Sequence, residues 1–334
     1  MKISIALPDT ILTNHDLELG FNDPRWTAEK IYSKTGIESR HIACKETVSD
    51  LAVQASQNLI NEHSLDIKCI DFVLLCTQSP DYSLPTTACL IQHRLGLSNN
   101  IGALDFNLGC SGFVYGLSLA QGLLLAGACS NILLIMAETY SKYINFNDKS
   151  TRTIFGDGAS ALHLTRKSVN NIGKFVFGTD GSGFNHLIVP SGGGAIPHSS
   201  ETRIESSDEA GNIRSLENLY MNGPEIFSFT IRTVPELIFS TLDRNSLTID
   251  DVDLFVFHQA NAFLLENLRL KIGIPKEKFY VNLKFCGNTV SASIPIALYH
   301  AIKAGKIKSN YTVLIAGFGV GYSWGATIVH FSDI

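Results

Sequence analysis

The hydrophobic pattern of the chain follows one plan twice. From Cys110, small residues lead into an apolar stretch of helical period, an Ala-Gly stop and a short apolar run typical of a buried strand. The same succession starts at Asn288, and the glycines of the two stops, Gly127 and Gly305, each lie 17 positions after the start. Glycine suits a helix end because it adopts the left-handed conformation at little cost. The pattern therefore predicts two α/β units of similar design.

The strands around these helices also repeat. The stretch "IDFVLLCTQSP" (70–80) resembles "VDLFVFHQANA" (252–262), and a Gly-rich turn with a further strand follows in "FGDGASALHLT" and in "GYSWGATIVHF". Each half is predicted as strand, helix, strand, strand. The polar, Gly/Ser-rich stretch 190–212 separates them. We predict an N-terminal half at 1–170, a connecting segment at 171–212 and a C-terminal half at 213–334.

Composition and charge exclude several classes of protein. Hydrophobic residues make up 45% of the 334 residues and charged residues 17%, which is enough apolar material for a large core. The net charge of −5, without a basic block, argues against nucleic-acid binding. The sequence shows no continuous apolar membrane span, and "MKISIALPDTIL" lacks the apolar core of a signal peptide. The seven cysteines form no CxxC pair, so we expect reduced thiols in the cytoplasm and no metal site.

Three chemically capable residues are expected to converge. If the halves pack face to face, equivalent positions lie near a common pseudo-two-fold axis. Cys110 and Asn288 are equivalent positions at predicted helix starts, and His258 follows an apolar strand of the second half. The duplication thus predicts a Cys, a His and an Asn at one site although they are far apart in sequence.

A cysteine at a helix start suits acyl transfer. The partial positive charge of the helix N-terminus favours the thiolate, which is the nucleophilic form. Gly109 and Gly112 allow a sharp turn and close approach of a substrate, and nearby N–H groups can hold an oxyanion. Taken singly, Cys110 could instead be a packing residue, His258 a satisfied core histidine and Asn288 an N-cap. Cys286 is interpreted as a packing residue.

The Gly-rich stretch "GFGVGYSWG" (317–325) does not predict a dinucleotide site. Dinucleotide loops open a helix, whereas strand-like residues follow here.

Taken together, the motifs resemble a known family. "NLGCSGF", "IFGDGAS", "FHQAN", "GNTVSASIP" and "GFGVGYSWG" stand in the order and spacing of the ketoacyl-acyl-carrier-protein (ACP) synthase III enzymes of the thiolase superfamily, and "KTGIESRHI" and "YMNGPEIF" match as well. The likeness covers essentially the whole chain. It implies an α/β, thiolase-like fold in which duplicated halves form a five-layered αβαβα arrangement.

The resemblance also implies a mechanism. Cys110 takes an acyl group from a thioester donor, and His258 and Asn288 then bind the thioester oxygen of malonyl-ACP while carbon dioxide leaves. The product would be a 3-oxoacyl-ACP, made without a cofactor. The backbone N–H groups of Cys110 and Val320 would form an oxyanion hole.

The resemblance further implies where the acyl group and the partner subunit lie. The enzyme would be a homodimer in which the loop carrying Leu84 reaches the acyl pocket of the partner. The predicted acyl-pocket residues are Leu84, Phe155, Met221 and Phe318.

Departures from the family pattern concern the acyl donor. The usual enzyme holds the adenine of coenzyme A between a Trp and an Arg, where this chain has Lys30 and Lys149, with Trp26 four places away. Phe263 replaces a basic residue used for carrier docking, and Val320 replaces a glycine. We predict a specialised branch that uses an acyl-ACP or an unusual acyl-CoA. The predicted donor or carrier contacts are Lys30, Lys34, Lys149 and Lys271, with Lys276 and Lys278 as further candidates.

Three other functions can be compared with this mechanism on the same residues. An acyltransferase would pass the acyl group from Cys110 to an amine or alcohol, in secondary metabolism or glycan modification, with His258 as general base. A non-catalytic partner subunit is disfavoured because all three candidate residues are kept. A true thiolase is disfavoured because the Gly-rich loop from Gly317 to Val320 has no second cysteine.

Overall fold

Two mixed sheets organise the chain, in a computed structural model that describes residues 2–332. The outer limits of the predicted halves, residues 1 and 334, lie outside this range. The strands are β1 (Lys2–Ala6), β2 (Ile11–Thr13), β3 (Ser39–His41), β4 (Phe72–Cys76), β5 (Gly102–Phe106), β6 (Asn131–Glu138), β7 (Gly158–Thr165), β8 (Val176–Thr179), β9 (Leu187–Ile188), β10 (Ser206–Ser207), β11 (Ile213–Arg214), β12 (Tyr220–Met221), β13 (Leu254–Phe257), β14 (Tyr311–Gly319) and β15 (Ser323–Phe331).

Ten α-helices fall within the described residues. They are α1 (Asn14–Phe21), α2 (Ala28–Thr35), α3 (Val48–Glu62), α4 (Thr87–Arg94), α5 (Gly112–Leu125), α6 (Lys149–Arg152), α7 (Arg166–Val169), α8 (Gly223–Arg244), α9 (Ala262–Ile272) and α10 (Ser293–Lys303). Short 3-10 turns lie at Ile67–Cys69, Tyr140–Tyr143, Gly181–His186, Lys276–Lys278 and Val290–Ala292.

The two large sheets share one topology. The first has the strand order β1-β7-β6-β4-β5 and the second the order β13-β14-β15-β8. In the first, β4 and β6 are parallel, whereas β7 is antiparallel to both β6 and β1. In the second, β13 and β14 are parallel, whereas β15 is antiparallel to both β14 and β8. The strands β1, β7, β6 and β4 thus correspond to β8, β15, β14 and β13, and the predicted duplication is confirmed.

Helices fill the space between the sheets and cover their outer faces. Leu117 of α5 and Leu298 of α10 pack in one buried cluster with Leu134 of β6 and Ile315 of β14. Helices α3 and α4 cover the outer face of the first sheet, and α8 and α9 cover that of the second. The five-layered αβαβα arrangement follows from this packing, because each sheet must bury both faces.

The two central helices end where the sequence predicts. Gly127 and Gly305 follow α5 and α10 with φ angles of 74° and 64°. Both lie in the left-handed region that terminates a helix and that glycine occupies without strain.

The first strand of the second sheet, β8, lies inside the predicted connecting segment 171–212. Its pairing with β15 makes it the counterpart of β1. We therefore infer that the C-terminal half starts before β8 and not at residue 213. The short and partly exposed β8 has little of the apolar run that reveals β4 or β13 in the sequence.

Within residues 2–332, every helix is too short or too polar to cross a lipid bilayer.

Candidate active site

The three predicted residues Cys110, His258 and Asn288 line one cavity of about 170 Å³. Cys110 lies in the turn before α5, His258 follows the last residue of β13, and Asn288 precedes the 3-10 turn that leads into α10. The cavity therefore joins elements of both halves, as the duplication predicts. The other lining residues include three of the four predicted acyl-pocket residues, Phe155, Met221 and Phe318.

The thiol of Cys110 is buried against the loop that follows β14. Cys110 is 5% exposed, and a Cβ atom at Gly319 would lie 2.8 Å from its Sγ, so the close approach requires a glycine there. Burial raises the pKa of Cys110 to about 12, while the backbone N–H of Val320 acts in the opposite direction and Glu138 adds to the rise. The prediction that the Cys110 thiol ionises easily is therefore wrong for the protein without substrate. Burial raises the pKa of the thiol by more than the helix N-terminus lowers it.

His258 is a neutral histidine at the end of β13. Its side chain is buried, and its Nδ1 lies 2.7 Å from Oγ of Ser293, the first residue of α10. Burial lowers the pKa of His258 to about 3, against an opposite effect of the Val290 backbone. A neutral imidazole carries one N–H and can donate one hydrogen bond into the cavity.

The backbone N–H and the backbone carbonyl of Asn288 are both hydrogen-bonded. Its N–H donates to the carbonyl of Ile154 at 3.0 Å, and its carbonyl accepts from Gly156 N–H at 3.0 Å. Its Oδ1 accepts from Val290 N–H at 2.9 Å, so the side-chain amide N–H₂ is the donor that Asn288 brings to the cavity. The hydrogen bond from Val290 N–H caps only the short turn after Asn288. The predicted helix start at Asn288 is therefore wrong. Val290 has a φ of 52°, which interrupts the helix, and α10 begins only at Ser293.

Glu138, which the sequence reasoning missed, links the two halves behind the cavity. Its buried carboxyl group accepts from Ser79 Oγ at 2.9 Å, from Ser291 Oγ at 2.7 Å and from Gln78 N–H at 3.1 Å. The bonds connect the segment after β4 to the loop that carries Asn288. Burial raises the pKa of Glu138 to about 8, although these three hydrogen bonds act to lower it. A signal is present in the sequence, since an acidic residue ends the otherwise apolar run "NILLIMAE".

Comparisons with known proteins decide the family. The 3-oxoacyl-ACP synthase III model matches residues 104–181, and the 3-oxoacyl-ACP synthase III C-terminal model matches residues 242–331. A beta-ketoacyl-acyl-carrier-protein synthase III from Caldanaerobacter subterraneus is 37% identical over 329 residues, which cover 98% of this chain and 95% of that protein. The chain belongs to the 3-oxoacyl-ACP synthase III family.

Solved structures of synthase III enzymes agree with this membership. A 3-oxoacyl-ACP synthase III crystal structure is 47% identical, covers 98% of each chain and has a TM-score of 0.96. The synthase III from Pseudomonas aeruginosa is 29% identical, covers 100% of this chain and 98% of its own, and has a TM-score of 0.86. The predicted family, thiolase-like fold and enzyme class, an acyltransferase of the 3-oxoacyl-ACP synthase III type, are confirmed.

The lysines at the predicted donor positions of this synthase III lie outside the cavity. Lys149 Nζ is 2.8 Å from Asp23 Oδ2 and is largely buried there, and Lys30 Nζ donates to the carbonyl of Pro24 at 3.1 Å. Lys34 Nζ lies 4.9 Å above the ring of Trp26.

Other predicted residues are also remote from the cavity. Leu84 is 86% exposed, and Lys271 and Lys276 are exposed as well. Lys278 Nζ donates to the carbonyl of Asp250 at 2.9 Å. Cys286 is buried, with its Sγ 3.1 Å from the Asn282 carbonyl, as a packing residue would be.

The buried carboxyl of Glu138 is expected to make the stability of the protein depend on pH. Because its pKa of about 8 in the folded protein exceeds the ordinary value of 4.5, the folded state holds a proton that the unfolded chain has lost. This contribution is complete below pH 4.5 and is lost as the pH rises towards 8. Between pH 6.5 and 8, the free energy of unfolding should fall by about 1–2 kcal/mol, and Glu138→Gln should abolish that fall.

Urea unfolding at pH 6.5 and 8 measures this difference. The matched control is Glu266→Gln, which removes an exposed carboxylate of α9 and should keep the wild-type pH dependence. An equal fall in wild type and Glu138→Gln would contradict the assignment.

Proposed function

We propose that the chain is a condensing enzyme that acylates Cys110 and joins the acyl group to malonyl-ACP with loss of carbon dioxide, giving a 3-oxoacyl-ACP. The observation that carries this proposal is the convergence of Cys110, His258 and Asn288 on one buried cavity. A nucleophile and two neutral hydrogen-bond donors in one place suit two successive acyl-thioester steps.

In the first step, the sulfur of Cys110 attacks the carbonyl carbon of the donor thioester. The carbonyl oxygen becomes an oxyanion, which the backbone N–H groups of Cys110 and Val320 hold. The C–S bond of the donor then breaks, and the departing thiolate takes the proton that the Cys110 thiol gave up. The cavity therefore gains no net charge, which suits a thiol whose pKa burial raises to about 12.

In the second step, the malonyl thioester loses its carboxylate as carbon dioxide. The electron pair of the broken C–C bond forms an enolate, whose oxygen accepts hydrogen bonds from His258 and Asn288. The enolate carbon attacks the acyl carbon, and the C–S bond to Cys110 breaks. Cys110 leaves as a thiolate, which takes up a proton from water. Because burial keeps His258 neutral, it stabilises the enolate as a hydrogen-bond donor and not as a cation.

We also propose that the enzyme is a cytoplasmic homodimer. Leu84 is 86% exposed and outside the cavity of its own chain, with Tyr82 beside it 61% exposed. An exposed apolar loop of this kind suits the family arrangement, in which Leu84 completes the acyl pocket of the partner copy. The seven cysteines, all within the described residues, are free thiols, which suits a reducing compartment.

The surroundings of Lys149 favour a carrier-bound acyl donor over coenzyme A. The charge of Lys149 is matched by Asp23, which also binds Arg25. The tip of the β10–β11 hairpin lies over this cluster, since a Cβ at Gly211 would be 3.7 Å from Arg25 Nη2 and 3.8 Å from Lys149 Nζ. Lys149 itself therefore offers a nucleotide neither a stacking surface nor a free ammonium group.

An acyl-ACP donor should therefore be used about five- to 150-fold more efficiently than the same acyl group on coenzyme A. The lost stacking of adenine on an aromatic ring is worth about 1–3 kcal/mol, and 1.4 kcal/mol corresponds to a factor of ten. The measurement compares kcat/KM for the two donors.

Asp23→Asn should lower KM for the coenzyme A form alone, because it frees Lys149 for a phosphate. The control, Glu29→Gln in α2, should change neither value, and a preference for coenzyme A in wild type would contradict the proposal.

The experiment that tests the condensation follows two products. Purified protein with an acyl donor and carboxyl-labelled malonyl-ACP should release labelled carbon dioxide and form 3-oxoacyl-ACP in equal amounts. Transfer of the acyl group to an amine or alcohol without release of carbon dioxide would favour the acyltransferase instead.

A further inference from the structure

We infer that Ser293 is a positioning residue that fixes His258 in the tautomer with its proton on Nε2. The inference rests on the proposed function, in which His258 must donate a hydrogen bond to the enolate oxygen. Ser293 touches neither substrate in that mechanism and acts through the histidine alone.

The hydrogen bonds around the Ser293 hydroxyl decide its direction. Its oxygen lies 2.7 Å from His258 Nδ1 and accepts from the backbone N–H of Gln259 at 3.4 Å. A backbone amide can only donate, so the Gln259 contact occupies one of the two lone pairs of the oxygen, and the hydroxyl hydrogen remains available to point at Nδ1. Nδ1 is then the acceptor, and the proton of a neutral imidazole stands on Nε2.

The opposite tautomer would leave a buried donor without a partner. With a proton on Nδ1, the Ser293 oxygen would accept twice, and its own hydrogen would have no acceptor among the hydrogen bonds of the described residues. Ser293 is only 2% exposed and His258 also 2%, so bulk solvent does not reach the hydroxyl to replace the missing acceptor. Nε2 would moreover lack a hydrogen and could not donate to the enolate.

The position of Ser293 makes the contact rigid. It is the first residue of α10, an 11-residue helix that packs between the two sheets. The ring of Phe318 meets the imidazole edge-to-face at 5.9 Å between centroids, which restricts rotation of the ring.

The matched pair Ser293→Ala and Ser293→Thr tests the inference. Ser293→Ala should lower the rate of carbon dioxide release about 10- to 100-fold while Cys110 acylation stays within about twofold, because one oriented donor is lost from the second step only. Ser293→Thr retains the hydroxyl and should restore the rate to within about threefold of wild type. The control is Ser56→Ala in α3, which removes another fully buried hydroxyl, bound to the Ala52 carbonyl at 2.7 Å, far from the cavity.

A readout independent of turnover separates this inference from the proposed function. In protein labelled with ¹⁵N-histidine, the His258 resonances should report Nε2–H in wild type and Ser293→Thr, and a mixture of tautomers in Ser293→Ala. Nδ1–H in wild type, or carbon dioxide release by Ser293→Ala at the wild-type rate, would overturn the inference. If His258→Ala itself condensed normally, the proposed function would fail, and the resonances of the wild type would still decide the tautomer.

Discussion

Cys110→Ala is expected to abolish both the covalent acyl-enzyme and the formation of 3-oxoacyl-ACP. Loss of the nucleophile leaves no group in the cavity that can take the acyl group, so turnover should fall by at least about 10³-fold. The substitution shortens one buried side chain by a single sulfur atom, and the fold should persist. Intact-mass spectrometry after incubation with an acyl donor should show one adduct in wild type and none in the variant.

The other cysteines provide the control for this experiment. Cys44 and Cys89 are exposed and are the thiols most open to adventitious acylation. Cys44→Ser and Cys89→Ser should each keep the single adduct and full turnover. An adduct that persists in Cys110→Ala, wherever it lies, would contradict the assignment of the nucleophile.

The sequence predicts the architecture well because the fold repeats a local pattern. The two apolar helices and the strands after them carry period and stop signals that depend on neighbouring residues only, so β6, β7, β14 and β15 are readable from sequence. The strand β8 is not, because it has four residues, of which two are half-buried and two exposed. Its place comes from pairing with β15, which is 144 or more residues later in the chain.

The details of the candidate site depend on tertiary contacts and could not be predicted in the same way. The partner of His258 Nδ1 is Ser293, 35 residues away, and the partner of Glu138 is Ser291, 153 residues away. Neither pairing leaves a periodic signal in the sequence. Both belong to the short segment between Asn288 and α10, where the left-handed Val290 breaks the helix that the sequence predicts.

Electrostatics is the property for which the sequence was most misleading. A cysteine at a helix start predicts a low pKa, yet complete burial raises the pKa of Cys110 to about 12. Lys149 is a predicted donor contact, yet Asp23 binds its ammonium group, and Arg25 and Lys149 together lower the pKa of Asp23. In both cases the sign of the effect depends on which groups the fold places nearby.

Asn288→Ala and His258→Ala are expected to separate the two chemical steps. Each removes one donor to the enolate oxygen, and loss of such a donor costs about 10²–10³-fold in rate. Acylation of Cys110 should continue, because its oxyanion is held by the backbone N–H groups of Cys110 and Val320. Matched controls are Asn58→Ala, whose amide donates to the Ile5 carbonyl at 2.8 Å, and His163→Ala, whose ring bonds to Asn131 at 3.0 Å, both outside the cavity.

The measurement pairs intact mass for acylation with labelled carbon dioxide for condensation. The two variants should accumulate acyl-enzyme and release carbon dioxide about 10²–10³-fold more slowly than wild type, while both controls turn over normally. Parallel losses of acylation and condensation would mean that His258 and Asn288 serve the first step, as in an acyltransferase with His258 as base. Condensation by Asn288→Ala at the wild-type rate would mean that the side-chain amide takes no part in the mechanism. The hydrogen bonds that fix Asn288 through Ile154, Gly156 and Val290 would then serve the fold and not the reaction. Retained acylation with lost decarboxylation is the result that only an enolate-binding role for both side chains accounts for.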